Sequence, residues 1–270
     1  MDKKIISIGD VHGRPYWRDI DPEKYDKIVF TGDYMDSYKY SNEEILENLK
    51  KIIGLKREFP DKVVLILGNH DLHYMWDYRT FGCSGYRPEM YYDVHDLFNE
   101  NKNLFQIAFQ IDNHIWTHAG ISKGWYNFNK GFIEHYLEMF KPDDNRLIDG
   151  LEIVKELNLA DVLNIMLWTK DNHLLHQVSD YRGGVYQYGG VTWADRKETI
   201  NGYLPGYHQI VGHTPINEIT LFGDENGSIR YIDVQRNQED RDYDDKQYLE
   251  KYKEEKKHDF PLTLFYECEL

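Results

Sequence analysis

Lys4-Ile5-Ile6-Ser7-Ile8-Gly9-Asp10-Val11-His12-Gly13 decides the reading: a short, nearly continuous apolar run passes straight into Gly-Asp-x-His-Gly. The same event recurs four times downstream. Lys27–Thr31 runs into Gly32-Asp33-Tyr34-Met35-Asp36, and Lys62–Leu67 into Gly68-Asn69-His70-Asp71. His114–Thr117 runs into His118-Ala119-Gly120, and Gln209–Val211 into Gly212-His213-Thr214-Pro215. Leu104–Ile111, Ser228–Val234 and Leu262–Glu267 complete the set of β-rich runs. Runs this apolar suit strands buried on both faces. Between the second and third lies Ser41–Lys56, where Ser41 and Glu44 fit a capping box and Ile45, Leu49, Ile52 and Ile53 share a helical face. Strand, loop, strand, helix, strand is the order of a layered α/β fold.

The rest of the chain fits one domain spanning residues 1–270. Asp112-Asn113 separates two strand-like runs and predicts a hairpin. Residues 122–167 carry helical periodicity, with Phe132, Tyr136, Leu137 and Phe140 as the expected inner face. Gln238–His258 is mostly charged residues and tyrosine, and reads as a solvated insertion within the domain.

Composition excludes several classes. The 270 residues are 41% hydrophobic and 29% charged, as in a globular protein, and contain no apolar run of the roughly 20 residues a membrane span needs. The 22 tyrosines, 12 phenylalanines and 6 tryptophans argue against a disordered chain. Cys83 and Cys268 are the only cysteines, so a disulfide framework is not expected and a reducing cytoplasm is. With 32 basic and 47 acidic residues the net charge is −15, which repels duplex DNA and anionic membranes at long range. Neither is an expected partner.

Five strand ends therefore each deliver Asp, His or Asn, and sites assemble at the carboxyl ends of strands in open α/β sheets. Mixed oxygen and imidazole donors suit first-row divalent metals rather than calcium. Taken singly, each motif reads as well as an ordinary turn or a hydrogen-bonded buried histidine. Taken together, in this order, they read as a metal site.

The series resembles the calcineurin-like metallophosphoesterases, and within them the phosphoprotein phosphatase family. Gly9–Gly13 resembles that family's GDxHG, Gly32–Asp36 its GDxVD, Gly68–Asp71 its GNH[DE] and Thr117–Ser122 its HGGxS. Leu167–Lys170 resembles LLWSD, and Tyr181–Val185 carries the later Arg-Gly-Val element. Tyr231–Asp233 and Leu262–Leu264 resemble the closing strands of bacterial members. The resemblance implies a central β-sandwich flanked by helices and two divalent metals. Manganese is the first expectation, with iron, zinc, nickel or magnesium as alternatives. By position, Asp10 and His12 would bind the first metal, Asp33 would bridge, and Asn69, His118 and His213 would bind the second. A bridging hydroxide would attack phosphorus, His70 would act as general acid, and Asp36 would be its partner. Arg182 resembles the phosphate-clamping arginine. Asn69 and Arg14 are further phosphate contacts, though Arg14 reads equally as a surface residue.

Two departures bear on the substrate. The protein phosphatases follow GDxVD with Arg-Gly, where this chain has Ser37-Tyr38, and precede GNH with Arg, where it has Leu67. Diester-cleaving relatives carry Gly-His-x-His, where this chain has Pro215 in place of the second histidine. A phosphorylated substrate (phosphoprotein, nucleotide or small molecule) follows, with monoester hydrolysis first. Dinucleoside polyphosphate hydrolysis is the alternative, ahead of a phosphodiesterase or nuclease, and an idle binding scaffold is the non-enzymatic one. His73, Tyr74, Trp76, Tyr78, Tyr91 and Tyr92 form an aromatic-rich region that reads as packing or as base stacking. Cys83, beside Gly82 and Ser84-Gly85, reads as part of a mobile loop with no nucleophilic role.

Overall fold

Alternation along the first strands divides their side chains between two cores. β1 (Lys4–Ile8), β2 (Lys27–Phe30) and β3 (Val63–Ile66) run parallel, with Ile28 opposite Ile6 on one side and Val63 on the other. Ile5, Val29, Val64 and Ile66 face one way and pack with Trp116, Ile210 and Ile232. Ile6, Ile8, Ile28, Phe30, Val63 and Leu65 face the other way, toward the helices. Full burial of each such side chain is worth about 1.5–3 kcal/mol. The computed structural model describes residues 3–76, 83–140, 147–148, 151–152, 156–234 and 265–270.

Two five-stranded sheets result. β4 (Phe105–Gln106) joins β3, and β12 (Tyr266–Glu269) pairs antiparallel with β1, giving the order β12-β1-β2-β3-β4. The second sheet contains β5 (Ala108–Ile111), β6 (His114–Thr117), β9 (His208–Val211), β10 (Thr220–Asp224) and β11 (Gly227–Tyr231), in the order β10-β11-β9-β6-β5. The sheets meet through the shared apolar cluster, and the Trp116 indole N–H donates to Ser7 Oγ across it at 2.9 Å. This is the expected β-sandwich with flanking helices. Between β6 and β9, a two-residue pair forms from β7 (Leu147–Ile148) and β8 (Leu151–Glu152).

The helices cover the outer faces. α1 (Asn42–Glu58) begins at the predicted capping box: Ser41 Oγ accepts from the Glu44 N–H at 3.2 Å, and the Glu44 carboxylate accepts from the Ser41 N–H at 2.8 Å. Its buried residues are Ile45, Asn48, Leu49, Ile52 and Ile53. α2 (Asn69–Met75) is buried along its whole length, directly after β3. α3 (Tyr91–Glu100), α4 (Lys123–Met139), α5 (Leu159–Leu167) and the short α6 (Arg196–Ile200) complete the set. No described helix is long and apolar enough to cross a membrane.

Two sequence expectations need correction, and one strand was not expected. Leu104–Ile111 is not one strand: it breaks at Ile107 into β4 and β5, which belong to different sheets. Asn164 bridges the break, its side-chain oxygen accepting from the N–H groups of Ile107 and Ala108. The described part of residues 122–167 is mostly helical, as expected, with β7 and β8 between α4 and α5. On α4, Tyr136 is buried as expected, but Phe132 is exposed. β10 was not expected, although the Asn226-Gly227 pair beside its turn is a hairpin signal. The hairpin at Asp112-Asn113 forms as predicted, with Ile111 opposite His114. Gln238–His258 and Leu262–Leu264 lie outside the described residues.

Candidate metal centre

Every expected ligand follows a strand, and the loop geometry is what brings them together. Five described non-glycine residues have positive φ, and four are site residues: His12 (45°), Asp33 (52°), Asp36 (59°) and His213 (63°). Such conformations cost energy and concentrate where function demands them. Two glycines make room. A Cβ on Gly68 would lie 2.1 Å from Asp33 Oδ1, and one on Gly212 would lie 2.3 Å from Asp10 Oδ1.

The first donor set forms around His12, which is buried. Its Nδ1–H donates to the carbonyl oxygens of Met35 and Asp36, both at 2.8 Å, so the Nε2 lone pair faces inward. That Nε2 lies 3.9 Å from Asp10 Oδ2 and 3.8 Å from Asp33 Oδ2. Burial, aided by His70, holds His12 down at about 3, so it is neutral as a ligand must be. Asp10 Oδ1 accepts from the His213 N–H at 2.8 Å, which leaves Oδ2 free to serve the site. Burial and the neighbouring Asp233 carboxylate raise Asp10 well above its ordinary range.

The second set forms around His118, which is fully buried. Its Nδ1–H donates to the Thr31 carbonyl at 2.8 Å. Its Nε2 then faces Asn69 Oδ1 at 2.8 Å, His213 Nδ1 at 3.1 Å and Asp33 Oδ2 at 3.3 Å. One proton on Nε2 can serve only one of these three atoms well, whereas a cation can accept all four donors. Burial alone would lower His118, but the Asp33 carboxylate overrides it and pushes the imidazole up to about 9. Burial would likewise raise Asp33, yet His118, His70 and His12 carry it well below its ordinary range. The cluster thus requires positive charge, from a proton or from a bound cation. Burial and His118 hold His213 neutral, and its Nε2 is buried with no hydrogen-bond partner.

Asp33 Oδ2 belongs to both sets. The donor atoms of His12, Asp33 and His70 lie within 4.8 Å of one another, and so do those of Asp33, His118 and His213. Two overlapping sets hinged on one carboxylate fit a dinuclear centre in their chemistry and their arrangement. His70 stands at ligating distance too. Its Nδ1, however, is bound to Asp36 Oδ2 at 2.8 Å, and Asp36 Oδ1 accepts from the Tyr74 hydroxyl at 2.6 Å. Burial would lower His70, but Asp33 and Asp36 raise it above its ordinary value.

The two arginines are both near the centre. Arg14 is buried rather than on the surface, and its guanidinium donates to the Asp10 carbonyl at 3.3 Å. Arg182 is half-buried. Its Nε lies 2.7 Å from Asp195 Oδ2, and it donates to Thr214 Oγ1, next to His213, at 3.2 Å.

Several residues here had no assigned role in the sequence. The Asp71 carboxylate accepts from the N–H groups of Gly68, Asp33 and Tyr34, each at 2.8 Å, and of Met35 at 3.3 Å. It therefore locks the second and third motifs together. Cys83 is buried against the centre, and its Sγ accepts from Asn69 Nδ2 at 3.0 Å. That bond turns Asn69 Oδ1 toward His118. The Cys83 N–H and thiol both meet His73 Nε2. Burial pushes the Cys83 thiol up. Of the aromatic region, Tyr74 supports Asp36, Trp76 packs against Trp168 and His176, and Tyr92 is exposed. Tyr78 lies outside the described residues.

Comparison with known proteins gives the family. Residues 3–217 match the family model of the calcineurin-like phosphoesterases, and the chain belongs to that family. A Schizosaccharomyces pombe protein provisionally named a serine/threonine-protein phosphatase is 27% identical over 128 residues. That stretch is 45% of this chain and 40% of the yeast protein. The crystal structure of a cold-active protein-tyrosine phosphatase from a psychrophilic Shewanella species shares the fold, with a TM-score of 0.50 at 17% identity. The alignment covers 86% of this chain and 71% of that one. A Saccharomyces cerevisiae serine/threonine phosphatase gives a TM-score of 0.45 at 15% identity, over 85% and 67% of the two chains.

Proposed function

We propose that the chain is a divalent-metal-dependent phosphoesterase that hydrolyses phosphomonoesters. The observation that carries this reading is the position of Asp33 Oδ2, 3.8 Å from His12 Nε2 and 3.3 Å from His118 Nε2, shared between two donor sets. Asp10, His12 and Asp33 would hold one ion, and Asp33, Asn69, His118 and His213 the other. Bound there, two divalent ions supply Lewis-acid charge to phosphoryl oxygens and acidify a nucleophilic water. Manganese is the first candidate.

The remaining steps fall to the chain's own groups. Arg182, steadied by Asp195, orients a phosphoryl group beside His213, and Arg14 adds charge near Asp10. His70, bound at Nδ1 to Asp36 and favoured as a cation by the Asp33 and Asp36 carboxylates, holds a second proton at Nε2 and delivers it to the departing alkoxide. Pro215 stands where diesterases place a second histidine, which favours monoesters. A phosphorylated protein, nucleotide or small molecule in the cytoplasm is the substrate class this reading favours.

The test is hydrolysis of an aryl phosphomonoester against a diester with the same leaving group, with and without Mn²⁺. The reading expects metal-dependent turnover with the monoester well ahead. Faster cleavage of the diester would overturn the substrate assignment.

A further inference from the structure

Beyond the metal centre, Arg196 lines a cavity and makes no ion pair among the described residues. A cavity of about 230 Å³ is lined by Arg196, Pro215, Ile216, Asn217, Glu218 and Thr220. The Arg196 guanidinium carbon lies 5.2 Å from the Phe222 ring centroid and 5.5 Å from that of Tyr231. Contact with both rings restrains a planar cation while leaving its edge N–H groups available. Its Nε is buried with no hydrogen-bond partner. Among the described residues, no carboxylate or carbonyl engages the guanidinium. Glu218 lines the same cavity yet makes no ion pair with it. In a chain with 47 acidic and 32 basic residues, that is an unusual position for an arginine. A buried donor without a partner is costly, so such a group is expected to meet an acceptor.

We propose that this cavity is a binding site for a small oxyanion, phosphoryl or carboxylate, held by Arg196 and distinct from the metal centre. A guanidinium fork matches such anions in shape as well as charge. The site adjoins the reaction centre: Pro215 is two residues from His213, and Asp195, which pairs with Arg182, precedes Arg196. A second anionic group on the substrate would therefore be held beside the Arg182 clamp. A free anion would reach the clamp through the same short connection.

Binding is read on the full chain loaded with diamagnetic Zn²⁺. The Nε–H signal of Arg196 is assigned by its loss in Arg196→Lys, then followed during titration with inorganic sulfate and with chloride as control. The proposal expects a saturable shift with sulfate alone. Arg196→Gln should weaken that binding roughly tenfold or more, the worth of a hydrogen bond to a charged group. Glu218→Gln should strengthen it by removing a like charge. An Arg196 signal that ignores sulfate, or answers chloride equally, overturns the proposal, and this arm does not depend on catalysis. A second arm, which rests on the phosphomonoesterase reading, compares a monoester bearing an additional carboxylate with its neutral analogue. If the substrate supplies the anion, Arg196→Gln raises KM for the acidic substrate alone by about the same factor. If a free anion does, sulfate changes wild-type turnover of the neutral substrate and Arg196→Gln abolishes that response. Failure of both kinetic responses would show a site that serves no ligand of the enzyme, and the proposal would fall.

Discussion

His70 is the residue whose role the geometry leaves most sharply testable, because it stands within reach of a metal while being bound to Asp36. In His70→Asn the Asp36–Nδ1 bond of 2.8 Å is lost, but the carboxylate keeps the Tyr74 hydroxyl at 2.6 Å. The site should therefore stay folded, and both metal ions should remain. The rate on an alkyl phosphate should fall roughly 10²–10⁴-fold, the usual worth of general acid catalysis. Asp36→Asn should be milder. A hydrogen bond to a charged group contributes about 1.5–3 kcal/mol, which corresponds to roughly one to two pKa units on His70 and about 10–100-fold in rate. The assay is a series of phosphomonoesters of decreasing leaving-group pKa, with metal content measured on each protein by mass spectrometry. Both variants should recover toward wild-type rates as the leaving group improves, because a good leaving group departs unprotonated. Loss of metal from His70→Asn, or an equal rate loss across the series, would refute the general-acid assignment and make His70 a ligand.

Other consequences follow from particular contacts. Gly68→Ala places a Cβ 2.1 Å from Asp33 Oδ1, so it should cost about 1–3 kcal/mol in urea unfolding and lower metal content as Asp33 is displaced. Asp195→Asn removes the carboxylate 2.7 Å from Arg182 Nε and should raise KM for monoesters with a smaller effect on kcat. Leu65→Ala, in a fully buried strand position, should destabilise by about 2–5 kcal/mol, measured as a lower urea midpoint.

The sequence was most legible where strand and motif coincide. β1, β2, β3, β6 and β9 each lead into a candidate ligand read from the chain, because buried strands have an apolar signature and the segments after them carry polar groups that core positions would not tolerate. The break at Ile107 was not legible, since Leu104–Ile111 is apolar apart from Gln106 and Gln110, and Asn164, 57 residues away, marks where the chain changes sheets. β10 escaped because it is an edge strand with exposed Leu221 and a glycine, Gly223, inside it. The candidate ligands could be read, but not what holds them. Asp71 is an ordinary helix-start carboxylate in sequence, and its four backbone partners come from two loops. Cys83 orients Asn69 across 14 residues, and Asp195 steadies Arg182 across a fold that brings α6 back to the site. The positive φ angles at His12, Asp33, Asp36 and His213 have no sequence signal, since none is a glycine.

The central claim is that Asp33 joins two metal ions in one site. Metal content per chain, measured side by side for the wild type, Asp33→Asn and His118→Asn after equilibration with excess Mn²⁺, tests it most directly. The account predicts two ions in the wild type, loss at both positions in Asp33→Asn, and loss of one ion in His118→Asn. Two tightly held ions in Asp33→Asn, or a fully active wild type that binds only one, would contradict it.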